Sequence, residues 1–156
     1  MKRGFTLLLV EDDEDDVFFF TRALQESAER VGVPIRLEVT HDGRQALAYL
    51  QGKEEFGDRE KHPFPELVVT DLKMPQLNGL EVLAWLHERE EFQRVPKIVL
   101  SASSDESDVD EAYRLGANTF FQKPHAPKDL QELVYHIVCY WVHTERPVIP
   151  AGLVRG

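Results

Sequence analysis

Short apolar runs alternate along the chain with segments whose apolar residues recur at helical spacing. Phe5–Val10, Ile35–Thr40, Leu67–Thr70 and the stretches 97–100 and 118–122 read as strands. Most are rich in Val, Leu, Ile or Phe, the composition of strands buried on both faces. In the first intervening segment Val17, Phe20, Leu24 and Val31 fall on one helical face. Further helical patterns cover Gly43–Gln51, 80–89, 105–115 and Pro127–His143. Gly116 suits the end of the fourth helix and Pro127 the first turn of the fifth.

Five strands, each followed by a helix, predict an α/β domain built on a parallel sheet with helices on both faces. Right-handed crossovers leave few topologies, and the flavodoxin-like (βα)5 order 2-1-3-4-5 is the one expected here. Residues 52–65 are charged and broken by Gly57, Pro63 and Pro65, so they read as a long exposed loop before the third strand. One domain is expected over 1–143, followed by a tail over 144–156 that is too short to fold alone.

The formal charge of −10 makes nucleic acid and anionic membrane poor partners. Lys2 and Arg3 before an apolar run imitate a signal peptide, but the run is too short and ends in carboxylates. No stretch approaches the roughly 18 apolar residues of a membrane span. The lone Cys139 excludes an internal disulfide and suits a reducing compartment, so a cytoplasmic location is expected.

In such sheets ligands bind beyond the carboxyl ends of the strands. The first strand ends in Glu11, Asp12 and Asp13, the third in Asp71, the fourth in Ser101 and the fifth in Lys123 and Pro124. Carboxylates, a hydroxyl and an ammonium thus gather at one edge. Carboxylates packed so closely repel unless a cation joins them, and a hard divalent ion, Mg²⁺ above all, is the natural one. The set suits phosphoryl transfer: a carboxylate is a nucleophile already ionised at neutral pH, and cationic groups stabilise the equatorial oxygens.

Leu7 through Asp13, Val68 through Pro75 with Asn78 and Gly79, Val99 through Ala102, and Lys123 with Pro124 together resemble the receiver domain of two-component response regulators. The resemblance implies that Asp71 accepts a phosphoryl group from a histidine kinase or phosphotransfer protein. It implies Mg²⁺ held by Asp12, Asp71 and the Lys73 carbonyl, with Glu11 acting through water. Ser101 and Lys123 would contact the phosphoryl group, and Phe120 takes the place of the switch aromatic. The Lys123–Pro124 bond is one that the family often holds cis. The loop before the third strand and the aromatic end of the last helix look like stand-alone receivers that serve phytochrome-type kinases.

Other classes fit less well. A haloacid-dehalogenase-type phosphotransferase wants a second Asp where Lys73 stands. The domain is therefore expected to be no enzyme beyond its own phosphorylation and slow dephosphorylation. A pseudo-receiver, binding partners without phosphorylation, remains the alternative. Asp13 is expected to cap the first helix, and Glu14, Asp15 and Asp16 to be solvated or capping residues. Phe18 and Phe19 cannot both face the sheet with Phe20, so at least one is expected outside for a partner helix. Tyr135, Cys139 and Val142 form a second apolar line on the last helix, which predicts a homodimer there unless the tail folds back to cover it.

Overall fold

The computed structural model describes residues 3–155. Met1, Lys2 and Gly156, at the ends of the expected domain and tail, lie outside them. The strands are β1 (Phe5–Val10), β2 (Ile35–Thr40), β3 (Leu67–Thr70), β4 (Lys97–Ser101) and β5 (Thr119–Gln122). The helices are α1 (Glu14–Val31), α2 (Gly43–Gln51), α3 (Gly79–His87), α4 (Glu106–Arg114), α5 (Pro127–His143) and a short α6 (Ala151–Arg155). All pairings are parallel, in the expected order β2-β1-β3-β4-β5.

Alternation along β1 divides the core. Leu7 and Leu9 pack with α1 and α5 through Phe20, Leu24, Val134 and Val138, while Leu8 and Val10 face α2 and α3 through Leu50, Val82 and Leu86. Val10 pairs with Thr40 and with Thr70, so β1, β2 and β3 end level with one another. The carboxyl edge that this creates carries the polar residues.

Residues 52–65 depart from a simple exposed loop. A 3-10 turn at Glu54–Phe56 buries Phe56, and Phe64 is buried as well. Arg59 ties the segment down by donating to the carbonyls of Tyr49 (2.8 Å) and Leu50 (2.9 Å). The charges that made this stretch look exposed decorate a segment anchored by two aromatic rings.

The tail folds back, though not onto α5. Arg146 donates to the Gly4 carbonyl (2.8 Å) and Glu66 (3.0 Å) and stacks over Phe5. Ile149 and Leu153 pack on the α2–α3 side of the sheet, where Arg59 donates to the Leu153 carbonyl (3.1 Å). Of the apolar line expected on α5, Val142 is only 2% exposed within the α1–α5 core, the Arg30 guanidinium lies 3.6 Å from the Tyr135 ring centroid, and Cys139 is half-buried. The exposed aromatic of α5 is instead Tyr140, at 71%.

Lys97 begins β4 with its side chain inside, its ammonium donating to the Gln93 carbonyl (3.1 Å). Burial lowers its pKa to about 8 from 10.5. The folded state therefore holds this proton less tightly than the unfolded one, and the burial penalty is fully present below about pH 8 and fades toward 10.5. Lys97→Met should raise stability at neutral pH by on the order of 1–2 kcal/mol. Chemical denaturation across pH checks this; the gap between variant and wild type should close as pH rises.

Candidate functional site

The backbone brings the strand ends together before any side chain acts. Glu11 N–H donates to the Thr40 carbonyl (2.9 Å), Asp71 N–H to the Val10 carbonyl (3.0 Å) and Lys123 N–H to the Ser101 carbonyl (2.8 Å). Beyond Asp71 the chain turns tightly: a Cβ on Gly79 would stand 2.0 Å from the Asp71 carbonyl oxygen, so no larger residue fits there. Asn78 caps α3 in a reciprocal capping box with Glu81. That cap fixes where the loop carrying Asp71 and Lys73 must end.

The side chains then converge. Lys123 Nζ donates to Glu11 (2.5 Å), Asp16 (2.8 Å) and Asp71 Oδ2 (3.0 Å). The other Asp71 oxygen accepts from Leu72 N–H (2.7 Å). Glu11, Asp12 and Asp71 each offer a carboxylate oxygen within 4.8 Å of the others. Glu11 and Asp71 are buried, whereas Asp12 is exposed. Burial pushes Glu11 up to about 7 against the opposing pull of Lys123. Lys123 is itself raised above its ordinary value: burial would lower it, but its bonds to Asp16, Glu11 and Asp71 outweigh that. The site is thus short of positive charge. Three acidic groups share one ammonium that does not reach Asp12, and this all-oxygen donor set fits a hard divalent cation.

Ser101 is buried at the end of β4, its hydroxyl accepting from Ser103 N–H (3.3 Å). Lys73 is exposed two residues beyond Asp71. Phe120 is half-buried against Leu72, Leu83, Val99 and Ala112, and its N–H donates to the Tyr113 hydroxyl (3.1 Å). The Lys123–Pro124 bond is trans. Asp13 caps α1 by accepting from Asp16 N–H (3.0 Å), as expected. Phe18 and Phe19 are 55% and 38% exposed while Phe20 is buried, also as expected. Asp16 departs from the expectation of a solvated or capping acid and instead joins Lys123. No local signal separates it from Glu14 and Asp15, because its partner Lys123 lies 107 residues away along the chain.

A family model described as the response regulator receiver domain matches residues 7–135, and the chain belongs to that family. It is a receiver-domain response regulator related to phytochrome response regulators. Response regulator Rcp1 from Synechocystis is 35% identical over 138 residues, covering 88% of this chain and 89% of that protein. The phosphorylated cyanobacterial phytochrome response regulator RcpA superposes with a TM-score of 0.84 at 30% identity, over 93% of this chain and 99% of that one. The Mn²⁺-bound form of Rcp1 gives 0.78 at 33% identity, over 94% and 99%. Among the described residues no helix is long and apolar enough to cross a membrane.

Proposed function

We propose that this chain is a response regulator that accepts a phosphoryl group on Asp71 from a histidine kinase, of the phytochrome type, or from a phosphotransfer protein. The observation that carries this is the single ammonium of Lys123 bonded at once to Glu11 and Asp71, with Asp12 beside them. Asp71 Oδ2 attacks the phosphorus as the phosphorus–donor bond breaks, and the donor leaves with its bonding electrons. Lys123 and the Ser101 hydroxyl hold the transferred oxygens. Asp12, Asp71 and the Lys73 carbonyl, with Glu11 through water, are the residues that would hold Mg²⁺, which supplies charge neutralisation at the phosphoryl oxygens. RcpA was solved phosphorylated and Rcp1 with Mn²⁺, which supports the same chemistry here.

The domain over 1–143 acts in the cytoplasm as a signalling module rather than an enzyme on a separate substrate, and the tail beyond it braces it through Arg146, Ile149 and Leu153. Phosphorylation would act on Ser101 and Phe120, and the signal would leave through protein contacts, without nucleic acid or membrane. Phe18 and Phe19 offer the kinase an exposed aromatic pair on α1 close to Asp16. The protein pairs as a homodimer through α5, where Tyr140 stands at the rim of a groove of about 630 Å³ lined by Phe121, Leu133, Ile137 and Trp141. A ring beside an apolar groove can be reciprocated across a two-fold axis. Tyr140→Glu should yield a monomer in sedimentation at micromolar concentration; an unchanged dimer would place the interface elsewhere.

Incubation with acetyl phosphate and Mg²⁺ should add a single phosphoryl group, and chelation of the metal should prevent it. A protein that takes up none under either condition would be the pseudo-receiver, binding partners without phosphorylation.

A further inference from the structure

We infer that Asp16 is a positioning residue for Lys123: its carboxylate holds the ammonium in place while the N–H that points at Asp71 passes to the incoming phosphoryl oxygen. The inference rests on Asp71 being the acceptor, and it assigns a function to a residue in the first turn of α1.

Asp16 occupies the third position after the helix cap Asp13. An acid there ordinarily reaches back to the backbone N–H of the capping residue. Here that N–H donates to Glu11 instead, at 3.2 Å. The Asp16 carboxylate is thereby released from capping, and it accepts from Lys123 Nζ at 2.8 Å.

An ammonium has three donors. Those of Lys123 go to Glu11, Asp16 and Asp71, which leaves none free to turn elsewhere. A cavity of about 30 Å³ adjoins the side chain between Leu9, Phe20, Leu100 and Leu130, so packing does not close around it on that side. Its orientation is therefore set by its ion pairs. Of these, Asp71 is the reacting group and Glu11 belongs to the carboxylate cluster suited to a cation. Asp16 stands outside that cluster and is the anchor that the chemistry does not disturb. When the third donor passes from Asp71 to a phosphoryl oxygen, the bond to Asp16 keeps the ammonium from following the charge out of line.

The bland role of Asp16 is that of any acid in a first helical turn, favourable to the helix dipole. Asp15, exposed in the same turn, shares that role and provides the control. Phosphorylation rates with acetyl phosphate and Mg²⁺ would be measured for wild type, Asp16→Ala, Asp16→Asn and Asp15→Ala. In parallel, the Lys123 ammonium signal would be followed by NMR in the metal-free proteins. Asp16→Ala should lower the rate at saturating donor by about tenfold, since small misplacements of a charged group are costly, without changing the donor concentration for half-saturation. Its ammonium signal should broaden. Asp16→Asn, which keeps an acceptor oxygen, should recover most of both, and Asp15→Ala should change neither.

An Asp16→Ala protein equal to wild type in rate and in ammonium signal overturns the inference while leaving Asp71 as the acceptor. Equal losses in Asp16→Ala and Asp15→Ala overturn it in favour of the helix dipole. A wild type that takes up no phosphoryl group removes the assignment of Asp71 instead, and the ammonium signal then decides whether Asp16 orients Lys123.

Discussion

Replacement of Lys123 by alanine should slow phosphoryl uptake at Asp71 by about 10²-fold or more, the range seen when a single preorganised donor to a developing charge is removed. No other described side chain gives Asp71 a positive charge: its remaining side-chain partner is the Leu72 N–H. The variant also leaves Glu11 and Asp71 buried without their cation. Metal-free protein should therefore lose stability, and Glu11, already pushed up to about 7, should respond by taking a proton. Added Mg²⁺ should restore much of the stability and little of the rate. Thermal melts and uptake kinetics, each with and without Mg²⁺, separate the two effects; recovery of both by the metal would show that Lys123 serves only to neutralise charge.

Asp12→Ala should produce the second large effect, in the opposite direction for stability. Asp12 forms no ion pair among the described residues, yet it places a carboxylate oxygen within 4.8 Å of those of Glu11 and Asp71. Its removal relieves repulsion when no cation is bound, so the chelated protein should melt at a higher temperature. The same removal takes away a ligand, so Mg²⁺ should bind at least about tenfold more weakly. Calorimetric titration with Mg²⁺ measures the loss. An unchanged affinity would place the cation away from Asp12.

These opposite outcomes for neighbouring residues trace to features that differ in how far the sequence displays them. The central strands were legible because a strand buried on both faces is mostly apolar, as Leu67, Val68 and Val69 show, and little else in a soluble chain is. The residues at the strand ends were legible from their neighbours: Glu11 and Asp71 are charged groups that directly follow buried runs, and Lys123 follows the aromatic pair of β5. What escaped notice depended on side-chain direction. Asp16 resembles Glu14 and Asp15 in sequence, and only the diversion of the Asp13 N–H to Glu11 turns its carboxylate toward Lys123. Likewise Val142 and Tyr135 read as an open face of α5. They are covered because α1 packs along that side, with Arg30 lying over the Tyr135 ring. The anchoring of residues 52–65 was hidden by local charge, although Phe56 and Phe64 were present to signal it. The Phe120 N–H bond to the Tyr113 hydroxyl joins two elements and has no local signature at all.

The proposed acceptor of the phosphoryl group is the Asp71 carboxylate. Intact-mass measurement of wild type and Asp71→Asn, side by side after incubation with acetyl phosphate and Mg²⁺, tests it most directly. An alkali-labile phosphoryl adduct is expected on wild type and none on the variant; equal uptake by Asp71→Asn would rule Asp71 out as the acceptor.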